Sequence, residues 1–184
     1  MKCTRCTATW HWRAQELDPL TPLPTVWIPG LYLCSGQDEK ALELARQMHA
    51  QFPDNHIALF VLGTSAALLG EHAEALTAHE KMAAINPDWK FALGRTYAAA
   101  GRTDEARQIL LELEAQPPTS WGAFGLADLN AALGNADATF RWLNYDPPHA
   151  FMPWSRLSPT LRPFRNDPRF HALMRRLKLP ERID

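Results

Sequence analysis

At 184 residues, with 46% hydrophobic and 21% charged residues, the sequence has an ordinary globular makeup and enough chain to bury a real core. Its formal net charge of −1 excludes a partner held by bulk electrostatics, because the chain is neither basic enough to follow a phosphate backbone nor acidic enough to act as a solvating tail. No apolar run approaches the roughly 20 residues a bilayer crossing needs, and the stretch after Met1 lacks the apolar core of a signal peptide. The expected setting is therefore the cytoplasm, with neither membrane nor nucleic acid as a partner. Cys3, Cys6 and Cys34 fit that setting, since three scattered thiols make a poor disulfide framework.

Taken in chain order, the predicted elements are separated by two series of marks. Glycines stand at Gly36, Gly70, Gly101 and Gly134, at intervals of 34, 31 and 33, and Pro53, Pro87 and Pro118 each follow a glycine by 17 residues. Each glycine is expected to end one helix in the left-handed conformation that glycine adopts without a Cβ penalty. Each proline closes the next helix, because it cannot continue the hydrogen-bond ladder. Residues 1–19 read as the second helix of a pair whose first helix is missing, which leaves Trp10, Trp12 and Leu17 partly uncovered. Helix pairs follow at about 22–53, 56–87, 88–118 and 120–146, the third with a short leading helix and the fourth with a disrupted end. Ala41, Leu44, Ala45 and Met48 keep the i, i+3, i+4, i+7 spacing of a helix face, as do Ala106, Ile109, Leu110 and Leu113. No sustained period-two alternation and no Asn-Gly or Asp-Gly turn argues for a strand. After the repeat region, 1–157, residues 158–184 form a closing segment. There Asp167 is an N-cap, Pro168 suits the first helical position, and Phe170, Leu173, Met174 and Leu177 make an apolar face that should dock on the last pair.

A helix–turn–helix unit of about 34 residues resembles the tetratricopeptide repeat. Leu62-Gly63 and Leu93-Gly94 match its Leu-Gly pair, Tyr32 and Tyr97 its first-helix tyrosine, Ala41, Ala75 and Ala106 its small residue, and Pro53, Pro87 and Pro118 its closing proline. The resemblance runs from about residue 5 to residue 146. Pro29 and Thr139 depart from it, each standing where a small residue is usual. The tail is similar to the closing segment of the tetratricopeptide regions behind bacterial winged-helix regulators, adenylate cyclases and protein kinases. The resemblance implies an all-α fold, a right-handed α-solenoid of helix-turn-helix repeats with a C-terminal capping helix. It also implies a scaffold that binds a protein or peptide on its concave face and is not an enzyme.

In that family the first helix of each pair lines the concave surface. Aligning the repeats on their glycines puts Val26, Phe60, Phe91 and Phe124 at one position, and Gly30, Thr64, Arg95 and Asp128 one turn further on. An aromatic rail flanked by Arg95 and Asp128, with Trp27 and Trp121 beside it, suits an extended or helical peptide with apolar anchors. The alternative for the phenylalanines is packing against a neighbouring repeat. The members that capture a chaperone's C-terminal carboxylate resemble a clamp of lysine, asparagine and arginine; here the lysine position holds valine or phenylalanine, so that ligand class is not expected. The alternative function is self-association through Trp10, Trp12 and Leu17, making a homodimer.

Catalytic and metal chemistry is weakly represented. Cys3-x-x-Cys6 has only His11 and the distant Cys34 to complete a zinc site, and no strand precedes it for a redox use. His72 and His79 stand two helical turns, about 10 Å, apart, too far for one ion; His79 is expected to be a satisfied interior imidazole. No nucleophile elbow, phosphate-cradling loop or His-Glu-x-x-His is present, so no cofactor and no catalytic residue is expected. Arg162, Arg165, Arg169, Arg175, Arg176, Lys178 and Arg182 face only Asp167 and Glu181 near the C-terminus. They are read as cations suiting a helix C-terminus, not as a nucleic-acid contact.

Overall fold

The glycine and proline punctuation translates directly into paired helices. A computed structural model of the chain describes residues 22–180, and of residues 22–26 the backbone alone. Trp10, Trp12, Leu17 and the Cys3–Cys6 pair therefore lie outside the described residues, and so does the leading half repeat. Among the described residues there is no strand. The chain divides into two compact units, Met1–Pro87 and Asp88–Asp184, at the boundary between the second and third predicted pairs.

The first unit pairs α1 (Pro22–Cys34) with α2 (Asp38–Gln51) and α3 (His56–Leu68) with α4 (His72–Ile85). A 3-10 turn at the unit boundary, Pro87–Trp89, leads into α5 (Lys90–Ala99) of the second unit, which pairs with α6 (Thr103–Glu114); α7 (Ser120–Ala132) then pairs with α8 (Ala136–Leu143). Two further 3-10 turns, Met152–Arg156 and Pro159–Phe164, precede α9 (Pro168–Arg176). The short α5 and the eight-residue α8 match the two irregularities expected from the sequence.

Each first helix ends in the same way. Gly36, Gly70, Gly101 and Gly134 have φ between 74° and 79°, and the amide after each glycine donates back to a carbonyl five residues earlier, as Glu71 does to Ala66 at 2.9 Å and Arg102 to Tyr97 at 2.9 Å. That closure satisfies carbonyls the helix end would otherwise leave open. The helix starts are capped by side chains where the sequence supplies them. Asn55 accepts from the amides of Ile57 and Ala58, Thr119 from Gly122, and Asp167 from Arg169.

Five residues beyond each glycine comes Ala41, Ala75, Ala106 or Thr139, all fully buried. A small side chain there lets the second helix approach the first closely. The two helix classes differ in how they are buried. In α2 and α6 one face is covered, by Ala41, Leu42 and Ala45 and by Ala106 and Ile109. In α3 and α7 nine consecutive residues, Ala58–Ala66 and Ala123–Ala131, are buried, so these first helices are covered all round.

The capping helix is formed as expected. Phe170, Leu173 and Met174 are at most 1% exposed, and burying side chains of this size stabilises by ~1.5–3 kcal/mol each. Arg169 Nη1 reaches Asp137 Oδ1 at 2.7 Å and its guanidinium lies over the Phe140 ring, while Arg176 Nη2 donates to the Leu143 carbonyl at 2.7 Å. Part of the C-terminal arginine run thus ties α9 to α8. The helix closes through Lys178, at φ 55°, the αL position that glycine holds in the repeats.

Candidate functional site

The expected peptide-binding residues fall in both units, and each unit presents its own set. In the first unit Trp27 is half-buried, while Phe60 and Thr64 are 7% and 3% exposed. Phe60 stacks against the His79 ring, centroids 6.2 Å apart. His79 is fully buried and its Nε2 lies 3.2 Å from the Phe60 carbonyl. A carbonyl only accepts, so Nε2 carries the proton; the imidazole is the satisfied interior group expected. Gly63 makes room for it, since a Cβ at that position would lie 2.5 Å from the His79 ring.

This unit also has a half-open cavity of about 290 Å³ between α2, α3 and α4, lined by His49, Leu59, Leu62, Glu74 and Lys81 among others. Its charges are already matched. Arg46 binds Glu74 at 2.6 Å and also Glu71, and Lys81 binds Asp54 at 2.9 Å. The Arg46 hydrogen bond holds the Glu74 carboxyl below its ordinary range against the opposing pull of desolvation. Among the described residues no group of three or more His, Cys, Asp or Glu is arranged to hold a metal ion.

In the second unit the residues are brought together closely. Phe91 and Phe124 meet edge to face at 6.2 Å, and Trp121 stacks on Phe124 at 5.5 Å and meets Trp89 at 4.8 Å. The Trp121 indole N–H donates to the Asp88 carbonyl at 2.9 Å, which fixes the ring. One turn along, Arg95 Nη1 binds Asp128 Oδ2 at 2.8 Å, with side chains 10% and 6% exposed.

The expected aromatic rail and its flanking charges are largely buried here. Phe60, Phe91 and Phe124 are at most 7% exposed, because the first helices that carry them are covered on every side. Arg95 and Asp128 are engaged with one another. Of the expected set, Trp27 and Trp121 alone are half-buried where the others are buried; the Val26 side chain lies outside what is described.

The sequence reading missed what covers this face in the second unit. Phe151 packs on Trp121 at 5.8 Å and on Phe124 at 6.3 Å, His149 lies 5.0 Å from Trp121, and Trp154 meets Phe151 at 6.2 Å. Ser158 Oγ donates to Asp128 Oδ1 at 3.3 Å, and Arg95 Nη1 donates to Thr160 Oγ1 at 3.4 Å. One signal was available: Thr160 follows Asp128 by 32 residues, as Asp128 follows Arg95 by 33, so the repeat register continues into the tail. The 3-10 turns then stand where a further first helix would come, and α9 where its second helix would come.

Comparison with known proteins agrees with this architecture. Residues 66–124 match the tetratricopeptide repeat family. The crystal structure of TTC0263, a thermophilic TPR protein in Thermus thermophilus, is similar with a TM-score of 0.60 and 22% identity, over 84% of this chain and 88% of that one. The crystal structure of MamA is similar with a TM-score of 0.51 and 17% identity, over 73% of this chain and 81% of that one. At these identities the likeness is one of fold. No curated protein matches the chain in sequence.

Proposed function

Because this chain carries tetratricopeptide repeats in a tetratricopeptide fold, we propose that it is a cytoplasmic, non-catalytic scaffold that binds an extended or helical segment of a partner protein on the first-helix face of its repeats. The fold supports protein interaction in general; the choice of face rests on Trp121. That ring touches five others, those of Trp89, Phe91, Phe124, His149 and Phe151. Its indole N–H is anchored, and part of its surface is open. A rigid, half-exposed tryptophan loses little freedom on contact and offers a large apolar area, the properties of a binding hot spot. Trp27 is its half-buried counterpart on α1. In this reading Phe91, Arg95, Phe124 and Asp128 are the floor beneath Trp121 in the second unit, and Phe60 and Thr64, with Val26, belong to the first unit's own set beside Trp27.

Affinity selection from a random peptide library on the intact chain tests this. Peptides with aromatic or aliphatic anchors are expected, and Trp121→Ala should weaken them by about 10- to 100-fold, the range for loss of a central aromatic hot spot. Leu111→Ser, at a 62% exposed site on α6, should leave them unaffected. Selected peptides that bind Trp121→Ala as well as the wild type would refute the choice of face.

A further inference from the structure

The tail between α8 and α9 does more than cap the repeats. Its residues 149–161 touch both halves of the proposed binding set in the second unit: Phe151 lies on the Trp121–Phe124 pair, and Ser158 and Thr160 lie on the Asp128–Arg95 pair. A stretch of ordinary chain therefore already sits where the proposed function puts a partner. We propose that residues 149–161 are a built-in occupant of this face, and that the partner is a protein segment of the same chemistry, which gains entry by displacing them. That segment carries an aromatic anchor followed, seven to nine residues on, by hydroxyl side chains. The inference rests on the scaffold reading and adds the partner's chemistry and the regulation of the site.

Three observations make the occupant displaceable. It is built of 3-10 turns and contains Pro153 and Pro159, so it has fewer backbone donors and poorer hydrogen-bond geometry than the helices beneath it. Its bonds to Asp128 and Arg95, 3.3 and 3.4 Å long, are at the weak end for hydrogen bonds. The Arg95–Asp128 pair, at 2.8 Å, joins α5 to α7 directly rather than through the segment. Met152 and Leu161, 1% and 2% exposed, come away with the segment. The incoming chain must therefore bring apolar side chains beside its aromatic anchor. Tethering adds to these contacts: a linked segment acts at an effective concentration in the millimolar range.

The test uses a labelled synthetic peptide copying residues 146–161, titrated into the intact chain. Two variants, Phe151→Ala and the pair Ser158→Ala with Thr160→Val, weaken the resident copy by different contacts, and circular dichroism identifies any variant that has lost its helices. The variants are expected to bind the peptide at least about tenfold more tightly than the wild type, because the tethered competitor has been weakened. Variants with wild-type helicity that bind it no better would overturn the proposal. A library-selected peptide that needs Trp121 but leaves amide exchange in residues 149–161 unchanged would also overturn displacement, while the scaffold reading stood. Failure of library selection bears on the scaffold reading alone, since the probe here is the chain's own sequence.

Discussion

Replacing Asp128 with alanine is expected to destabilise the chain by ~3–5 kcal/mol, the usual effect of removing one partner from a buried ion pair. The Arg95 and Asp128 side chains are 10% and 6% exposed, so the guanidinium would stay desolvated without its carboxylate. Its 3.4 Å tie to Thr160 is to a neutral hydroxyl and offsets little of that loss. Arg95→Ala should cost a similar amount, because it leaves Asp128 with the 3.3 Å bond from Ser158. The informative variant is the double one. Arg95→Met with Asp128→Leu removes both charges and refills the space, so it should lie within about 1 kcal/mol of the wild type. Urea unfolding followed by helicity measures all three, read as a change of midpoint at constant slope. A double variant as unstable as the two single ones together would mean that the pair contributes net stability rather than cancelling its own burial.

Gly63→Ala has the second large effect, although alanine is the better helix former by about 1 kcal/mol. The added Cβ would lie 2.5 Å from Cδ2 and Nε2 of His79, a fully buried ring. Overpacking of this kind costs ~1–3 kcal/mol. Swinging the ring away would also cost its bond to the Phe60 carbonyl. A net loss of ~2–4 kcal/mol is expected. Gly101→Ala provides the contrast. Nothing lies within 4 Å of a Cβ there, and the cost comes from its φ of +75° alone, ~1–2 kcal/mol. If Gly63→Ala proved as stable as the wild type, the α3–α4 contact would have to be looser than these distances allow.

Most of the fold was legible because its signals are local. Gly70 sits after α3 at positive φ, Pro53 and Pro118 follow the ends of α2 and α6, and Asp167-Pro168 opens α9; each effect acts within a turn or two of the residue that causes it. The buried Ala75 and His79 followed from their register against those marks. The candidate face was only half legible. Register puts Phe60, Phe91 and Phe124 at one position on the first helices, but not what covers that position. The cover in the second unit, around Phe151, Ser158 and Thr160, lies in and just before 3-10 turns that contain Pro153, Pro159 and Pro163, where no helical period survives to be read. Trp121 could be named from the sequence, while its role as the centre of a ring cluster depends on His149 and Phe151, 28 and 30 residues away.

The most direct measurement is the photo-crosslinking of a selected peptide, carrying a benzophenone at its aromatic anchor, to the intact chain, with the attachment sites mapped by mass spectrometry. The account predicts attachment on the first-helix face of the second unit, at or beside Trp121 and Phe124. Attachment on the outer surfaces of the second helices, around Leu111 on α6 or Lys81 on α4, would contradict it.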